Sequence, residues 1–228
     1  MIVADRKPFA ELKDMVKDCK KIMIAGCGTC VAVCMAGGEK EVELLASQLR
    51  LATKKEGKDI EIVEATVTRQ CDREYMEPIL DQARECEAVI SMACGVGIQY
   101  LSDLIEDIPV YPGVNTRFIG TNESEGVWLE RCLMCGNCVL GETGGICPIA
   151  ICAKNLLNGP CGGTNKGKCE VSLDKDCAWT LIYNRLEKQG KLDNIREIFP
   201  PKKYGLHVNP ITQVNPAYQH AQMEEHHG

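Results

Sequence analysis

No stretch of this 228-residue chain is apolar for the length of a bilayer crossing, and its first residues, MIVADRKPFA, lack the apolar region of a signal peptide. Membrane insertion and secretion are therefore not expected, and a cytoplasmic setting is. Neither half carries a basic block and the net charge is −6, so the electrostatic footprint of a nucleic-acid binder is missing. No histidine precedes His207, and no Ser–His–Asp set or carboxylate pair stands out, so no hydrolytic centre is legible. His207 and His220 lie in the tail, where a surface role is expected, and no ligand role is assigned to His226 and His227.

Two phosphate-binding patterns also fail. GCGTCV has Val31 where a dinucleotide fingerprint needs its third glycine. GGTNKGK (Gly162 to Lys168) nearly fits a P-loop, but Cys169 stands where a hydroxyl should bind magnesium and no apolar strand precedes it. The segment reads as a turn between two thiolate ligands.

What the chain has in excess is cysteine, 15 residues of it. In a reducing compartment such a count points to metal binding or redox chemistry rather than disulfides, and the odd number argues against a closed disulfide framework. Apolar residues make up 45% of the chain, enough for a proper core.

Residues 21–113 alternate between strand and helix patterns. Lys21–Ala25, Ile60–Val67 and Ala88–Ala93 read as strands, with Val110–Tyr111 starting a fourth. Helical stripes run through Val42, Leu45, Leu49 and Ala52, then Met76, Ile79, Leu80 and Ala83, then Ile98, Leu101 and Ile105. Another stripe, Leu12, Val16 and Cys19, precedes them. Strands alternating with helices imply a parallel sheet with right-handed crossovers, a small flavodoxin- or Rossmann-like α/β domain over residues 1–120. Residues 121–198 form a second expected domain, cysteine-rich and held together by metal rather than by a large core. Its one clear helix carries Trp179, Ile182, Tyr183 and Leu186 on a face, with Asp176 as candidate N-cap and Gly190 as stop. Residues 199–228, with several prolines and no period, read as an extended tail suited to docking on a partner.

The cysteines sort by position. Cys19 and Cys86 continue helix stripes and read as packed side chains. Cys27, Cys30, Cys34, Cys71 and Cys94 each lie just past a predicted strand, where loops of an open parallel sheet converge on a ligand edge. Cys27-x2-Cys30 alone could be a redox pair, and zinc accepts four thiolates. Ligands drawn from separate loops instead suit the larger [4Fe–4S] cube, with Cys27, Cys30 and Cys34 as its base and Cys71 and Cys94 competing for the fourth position. In the second half, Cys132-x2-Cys135-x2-Cys138 followed by Cys147-Pro148 is similar to the bacterial ferredoxin run, with eight residues instead of three before the fourth cysteine. Cys152, Cys161, Cys169 and Cys177 could complete a further site. The eight thiols could hold two cubes, or one cube and a zinc ion.

The stretch GVWLERCLMCGNCVLGETGGICPIAICAKNLLNGPCGGTNKGKCEV and the later DCAWTLIYNRLEKQGKLDNI resemble the cysteine-rich C-terminal domain associated with methylenetetrahydrofolate reductase. CGTCVAVCMAGGEKEV, EATVTRQC, ACGVGIQ and PVYPGVNT resemble the small subunit of the acetogen-type enzyme. The resemblance implies iron–sulfur clusters in this chain and a flavin (FMN)-bearing catalytic partner, and the two cysteine constellations set the expected number at two or three [4Fe–4S] clusters. The pair would reduce methylenetetrahydrofolate to methyltetrahydrofolate in the Wood–Ljungdahl pathway, with a further protein as possible electron donor. The spacing leaves no room in 228 residues for a barrel of eight βα units, so the flavin and folate site is expected on the other chain. Two competing readings are a zinc-stapled scaffold without redox chemistry, and a thiol oxidoreductase acting through Cys27 and Cys30.

Overall fold

The computed structural model describes residues 1–202, 211–213 and 215. The chain divides into two compact units, Met1–Cys132 and Leu133–Gly228.

The first unit begins with β1 (Ile2–Arg6) and α1 (Phe9–Met15). Then follow β2 (Lys21–Cys27), the single turn α2 (Cys30–Val33), α3 (Glu39–Lys55), β3 (Glu61–Val67), α4 (Arg73–Arg84), β4 (Ala88–Ser91), α5 (Gly95–Leu104) and β5 (Val110–Pro112). Strands β2 to β5 form one parallel sheet in the order β3-β2-β4-β5. This is the flavodoxin-like winding, in which the order reverses between the first and third strands of the sheet, here β2 and β4. The α/β class expected from the alternating pattern is what the structure has.

The chemistry of the elements follows from their residues. Ile22, Met23, Ile24 and Ala25 of β2 are fully buried because helices cover both faces of a parallel strand. One core gathers Ile22, Ile24, Leu45, Leu49 and Ile90 on one side of the sheet, and a second gathers Met23, Met76, Ile79, Val89 and Leu101 on the other. In α3, Val42, Leu45 and Leu49 are buried as their spacing predicts, the Glu41 carboxylate caps the N-terminus by accepting the Gly38 N–H at 2.9 Å, and Gly57 follows the helix with a φ of +70°.

Two features escaped the pattern. Ile2–Arg6 is a strand, and with β6 (Val114–Ser124) and β7 (Val127–Cys132) it makes an antiparallel sheet in the order β1-β6-β7. Its pairs, such as Ile2 with Ile119, join residues more than a hundred positions apart. The change in sequence texture near residue 120 falls inside β6, and the unit runs on to Cys132. The first helix stops at Met15, short of Cys19, which sits half-buried against the larger core.

The second unit has little regular structure: α6 (Pro148–Ile151), the strands β8 (Thr164–Asn165), β9 (Lys168–Cys169) and β10 (Ser172–Asp176), α7 (Ala178–Lys188) and a 3-10 turn at Leu192–Arg196. Asn165 pairs with Lys168 across a two-residue turn in which Lys166 and Gly167 both have positive φ, at 50° and 84°. That is the turn geometry that closes a two-residue hairpin, and it accounts for the false P-loop. Helix α7 buries Trp179, Ile182 and Leu186, while Tyr183 is 46% exposed and so lies off the packed face. Cys177, not Asp176, is its N-cap residue, and Gly190 follows the helix with φ at 66°.

Candidate metal centres

At the first site, the ends of three parallel strands deliver the thiols. Cys27 is the last residue of β2, Cys71 lies in the loop after β3, and Cys94 is the N-cap residue of α5 in the loop after β4. Because β2 and β4 flank the reversal of strand order, this edge is where an open α/β sheet binds its ligand. Burial pushes the Cys71 thiol up, and charge on Cys27 and on Cys94 pushes it further. Charges that act on one thiol in this way lie close to it, and a bound cation would offset their repulsion. Cys71 and Cys94 both stand at this edge with Cys27. Cys30 opens α2 on the same edge and is half-buried.

Cys34 is placed differently. It is 5% exposed and packs into the larger core. Its Sγ accepts the Ala4 N–H at 3.4 Å, and its thiol lies 3.5 Å from the Ala4 carbonyl and 3.6 Å from that of Val31. Burial pushes its pKa up, as expected of a thiol kept neutral among apolar side chains. Cys34 Sγ is thus hydrogen-bonded to β1, while Cys27, also buried at 7% exposure, belongs to the same core.

The loop that carries these cysteines is pressed onto the sheet. Cys27 N–H donates to the Gly37 carbonyl at 2.9 Å, and a Cβ on Gly37 would stand 1.8 Å from the Met92 carbonyl oxygen. Only glycine permits that approach.

In the second unit, Cys161, Cys169 and Cys177 converge on the hairpin. Cys169 pairs with Thr164 across the strands. The Thr164 hydroxyl is 3.1 Å from that of Thr180. Burial opposes ionisation of Cys177, but the Thr180 and Thr164 hydroxyls and the N–H groups of Thr180 and Trp179 hold its pKa below the ordinary value. A thiol stabilised as thiolate at a helix N-terminus is a prepared ligand. Cys161 Sγ accepts the Gly163 N–H at 3.4 Å and lies 3.9 Å from Lys154 Nζ. Lys154 is ion-paired with Glu170, which holds its pKa above the usual value, and Cys161 and Cys169 raise it further. Cys152 and Cys177 pack against the same small core of Trp179, Ile182 and Leu186.

The ferredoxin-like run is spread over irregular backbone. Cys132 ends β7 and is exposed; Cys135 and Cys138 follow in the loop, where Met134 and Gly136 have φ of 53° and 80°. Cys147 is the N-cap residue of α6, and its Sγ accepts the Ala150 N–H at 3.4 Å. Among the described residues no three histidine, cysteine or acidic side chains are drawn together tightly enough to hold a single ion. The donor set at each site is nonetheless thiol throughout, with backbone N–H groups on several sulfurs, which is chemistry that iron–sulfur clusters and zinc share. Sequence reasoning missed Thr164, Thr180 and Lys154, whose roles depend on the hairpin bringing them beside sulfur. Cys86 is buried as expected, its thiol directed at the Gln82 carbonyl.

No helix among the described residues is long and apolar enough to cross a membrane. A search of curated proteins finds no match. Among solved structures, a conserved domain protein from Vibrio cholerae O1 biovar eltor is 19% identical over 47% of this chain, with a TM-score of 0.31, a likeness too slight to bear on fold or function. The chain spans about a third (35%) of that protein's length. Residues 111–205, which hold β6, β7, eight cysteines and α7, match the family described as methylene-tetrahydrofolate reductase C terminal.

Proposed function

We propose that this chain is the iron–sulfur electron-transfer subunit of a methylenetetrahydrofolate reductase complex, and that its partner carries the flavin and the folate site. The observation that carries the reading is the family match at residues 111–205, a stretch that contains all eight cysteines of the second half. The thiol edge of the first unit extends it to a second, separate centre. Cys27, Cys30, Cys71 and Cys94 would hold one [4Fe–4S] cluster, and the eight thiols from Cys132 to Cys177 one or two further centres. A bound cluster supplies one-electron transfer. The chain's own contribution is to keep the thiols together, donate N–H groups to sulfur and exclude water through the buried wall of β2 and β4.

Zinc remains the second reading for one centre, favoured by the tight hairpin that presents Cys169 beside the Cys177 helix start, an arrangement shared with zinc ribbons and fingers. The thiol oxidoreductase reading loses support, because Cys27 is 7% exposed and ends a central strand, where an attacking thiol lacks access.

The test is co-purification and electron transfer with a flavin-bearing reductase subunit, with and without this chain. The reading expects a stable complex in which flavin reduction by the electron donor depends on this chain. A flavoprotein reduced equally fast alone refutes it.

A further inference from the structure

Where β4 stops, β2 does not. The pairing of β2 with β4 ends at Ala25 and Ser91, while β2 continues beside β3 to Cys27 and Val67. On the β4 side the Ala25 carbonyl accepts the Met92 N–H at 2.8 Å, and beyond that bond β2 has no strand beside it there.

Gln70 adds side-chain bonds at this strand end. Its side chain is 0% exposed. Nε2 donates to the Ala25 carbonyl at 2.9 Å and to the Gly26 carbonyl at 3.0 Å. Oε1 accepts the Ser91 hydroxyl at 2.6 Å, and that hydroxyl accepts the Ala93 N–H at 3.3 Å. Both amide protons are used and the network is closed, which is the condition under which a buried polar group rigidifies its surroundings. Helix α5 leaves room for it with Gly97, where a Cβ would stand 2.8 Å from both Gln70 Cβ and Ala93 Cβ.

The residues this one amide joins are the immediate neighbours of the thiols. Gln70 precedes Cys71, Gly26 precedes Cys27, and Ser91 and Ala93 lead into Cys94. We propose that Gln70, oriented by Ser91, is the positioning residue of the first thiol site, locking three strand ends so that Cys27, Cys71 and Cys94 are presented together. An apolar side chain of the same size would fill the space but tie nothing. As a positioning device for a cluster the proposal rests on the function proposed above; as a clamp on three loops it does not.

The experiment uses the full chain, reduced and stripped of metal by chelation, then treated with the thiol oxidant diamide. Disulfides are mapped by mass spectrometry, since Cys27, Cys71 and Cys94 fall on separate tryptic peptides. The wild-type chain is expected to cross-link Cys71 to Cys27 or Cys94 rapidly. Gln70→Met should slow this about tenfold or more, because the effective concentration of the thiols falls once the loops are untied. Ile79→Ala, a core change on α4 away from the network, should lower the melting temperature yet keep the cross-linking rate near that of wild type. Wild-type rates in a folded Gln70→Met chain, equal slowing in Ile79→Ala, or no cross-link in the wild type would each overturn the proposal. Should Gln70→Met not fold, Ser91→Ala carries the same test: several-fold slowing supports the clamp and an unchanged rate overturns it. If the anaerobically isolated wild-type chain bears no iron on these thiols, the cluster reading fails while the cross-linking comparison still decides the clamp.

Discussion

Cys34 and Cys30, four positions apart, have different fates because one faces a strand and the other a site. Cys34 accepts the N–H of buried Ala4, so Cys34→Ala should cost about 1–2 kcal/mol through the lost sulfur and the orphaned donor, with iron content unchanged. Cys30→Ala should do the reverse, leaving the melting temperature of the apo-chain near wild type and removing the iron of the first unit. Equal iron loss in both variants would show that Cys34 ligates. Cys86, buried among α4 and strand residues, makes a pH prediction. Burial pushes its thiol pKa above the ordinary cysteine value. In the unfolded chain it ionises first, so its stabilising contribution is complete below about pH 9 and is lost as pH rises toward the folded-state pKa. Cys86→Ala should therefore flatten part of the alkaline fall in stability, at a cost of about 1 kcal/mol near pH 7, read from urea unfolding at both pH values. The burial of Cys86 was legible from the stripe of α4, whereas Cys19 packs against the core from beyond the end of α1. That of Cys34 was not, because its partner Ala4 lies thirty residues away on a strand no local period marks. Gln70 was illegible for a related reason: hydropathy places a glutamine outside, and its partners Ala25, Gly26 and Ser91 lie on other strands, at least twenty residues away.

Strands and helices of the parallel sheet were readable because each buries a regular stripe, and the apolar runs of β2 and β4 are long enough to require cover on both faces. The β1-β6-β7 sheet was not readable. Its long strand β6, VNTRFIGTNES, buries only Val114 and Gly120, so alternation is faint, and its pairing with β1 is set by the fold of everything between. In the second unit α7 was readable, yet its cap was misplaced by one residue and Tyr183 put on the wrong face, since a short stripe tolerates either register. That helix carries most of what apolar core the unit has. Trp179 is 6% exposed, donates its indole N–H to the Leu156 carbonyl at 3.0 Å and covers Gly159. Trp179→Ala should cost about 3–5 kcal/mol and expose the second unit to proteolysis while the first resists, as limited digestion and peptide mapping would show.

The two units draw their stability from different sources. Among the described residues the first has two buried clusters, of twenty and ten residues, and the second has one of three. If the proposed centres are present, a unit with so small a core would draw its stability from them. Chelation should therefore unfold the second unit and leave the first, seen as partial loss of ellipticity followed by a single remaining thermal transition. A chelated chain that keeps both units folded would contradict this. At the tail, Asn158 holds the start of the segment, its side-chain amide donating to the Phe199 carbonyl and its Oδ1 accepting the Phe199 N–H, both at 2.8 Å. The docking role expected for 199–228 falls mostly on residues 203–210, 214 and 216–228, outside the described residues. The central claim is that the chain's thiols carry clusters in both halves. Iron and acid-labile sulfide counted per chain after anaerobic purification test it most directly. The account predicts about eight iron atoms or more, with matching sulfide. Four or fewer irons in fully reconstituted protein, with stoichiometric zinc in their place, would contradict it.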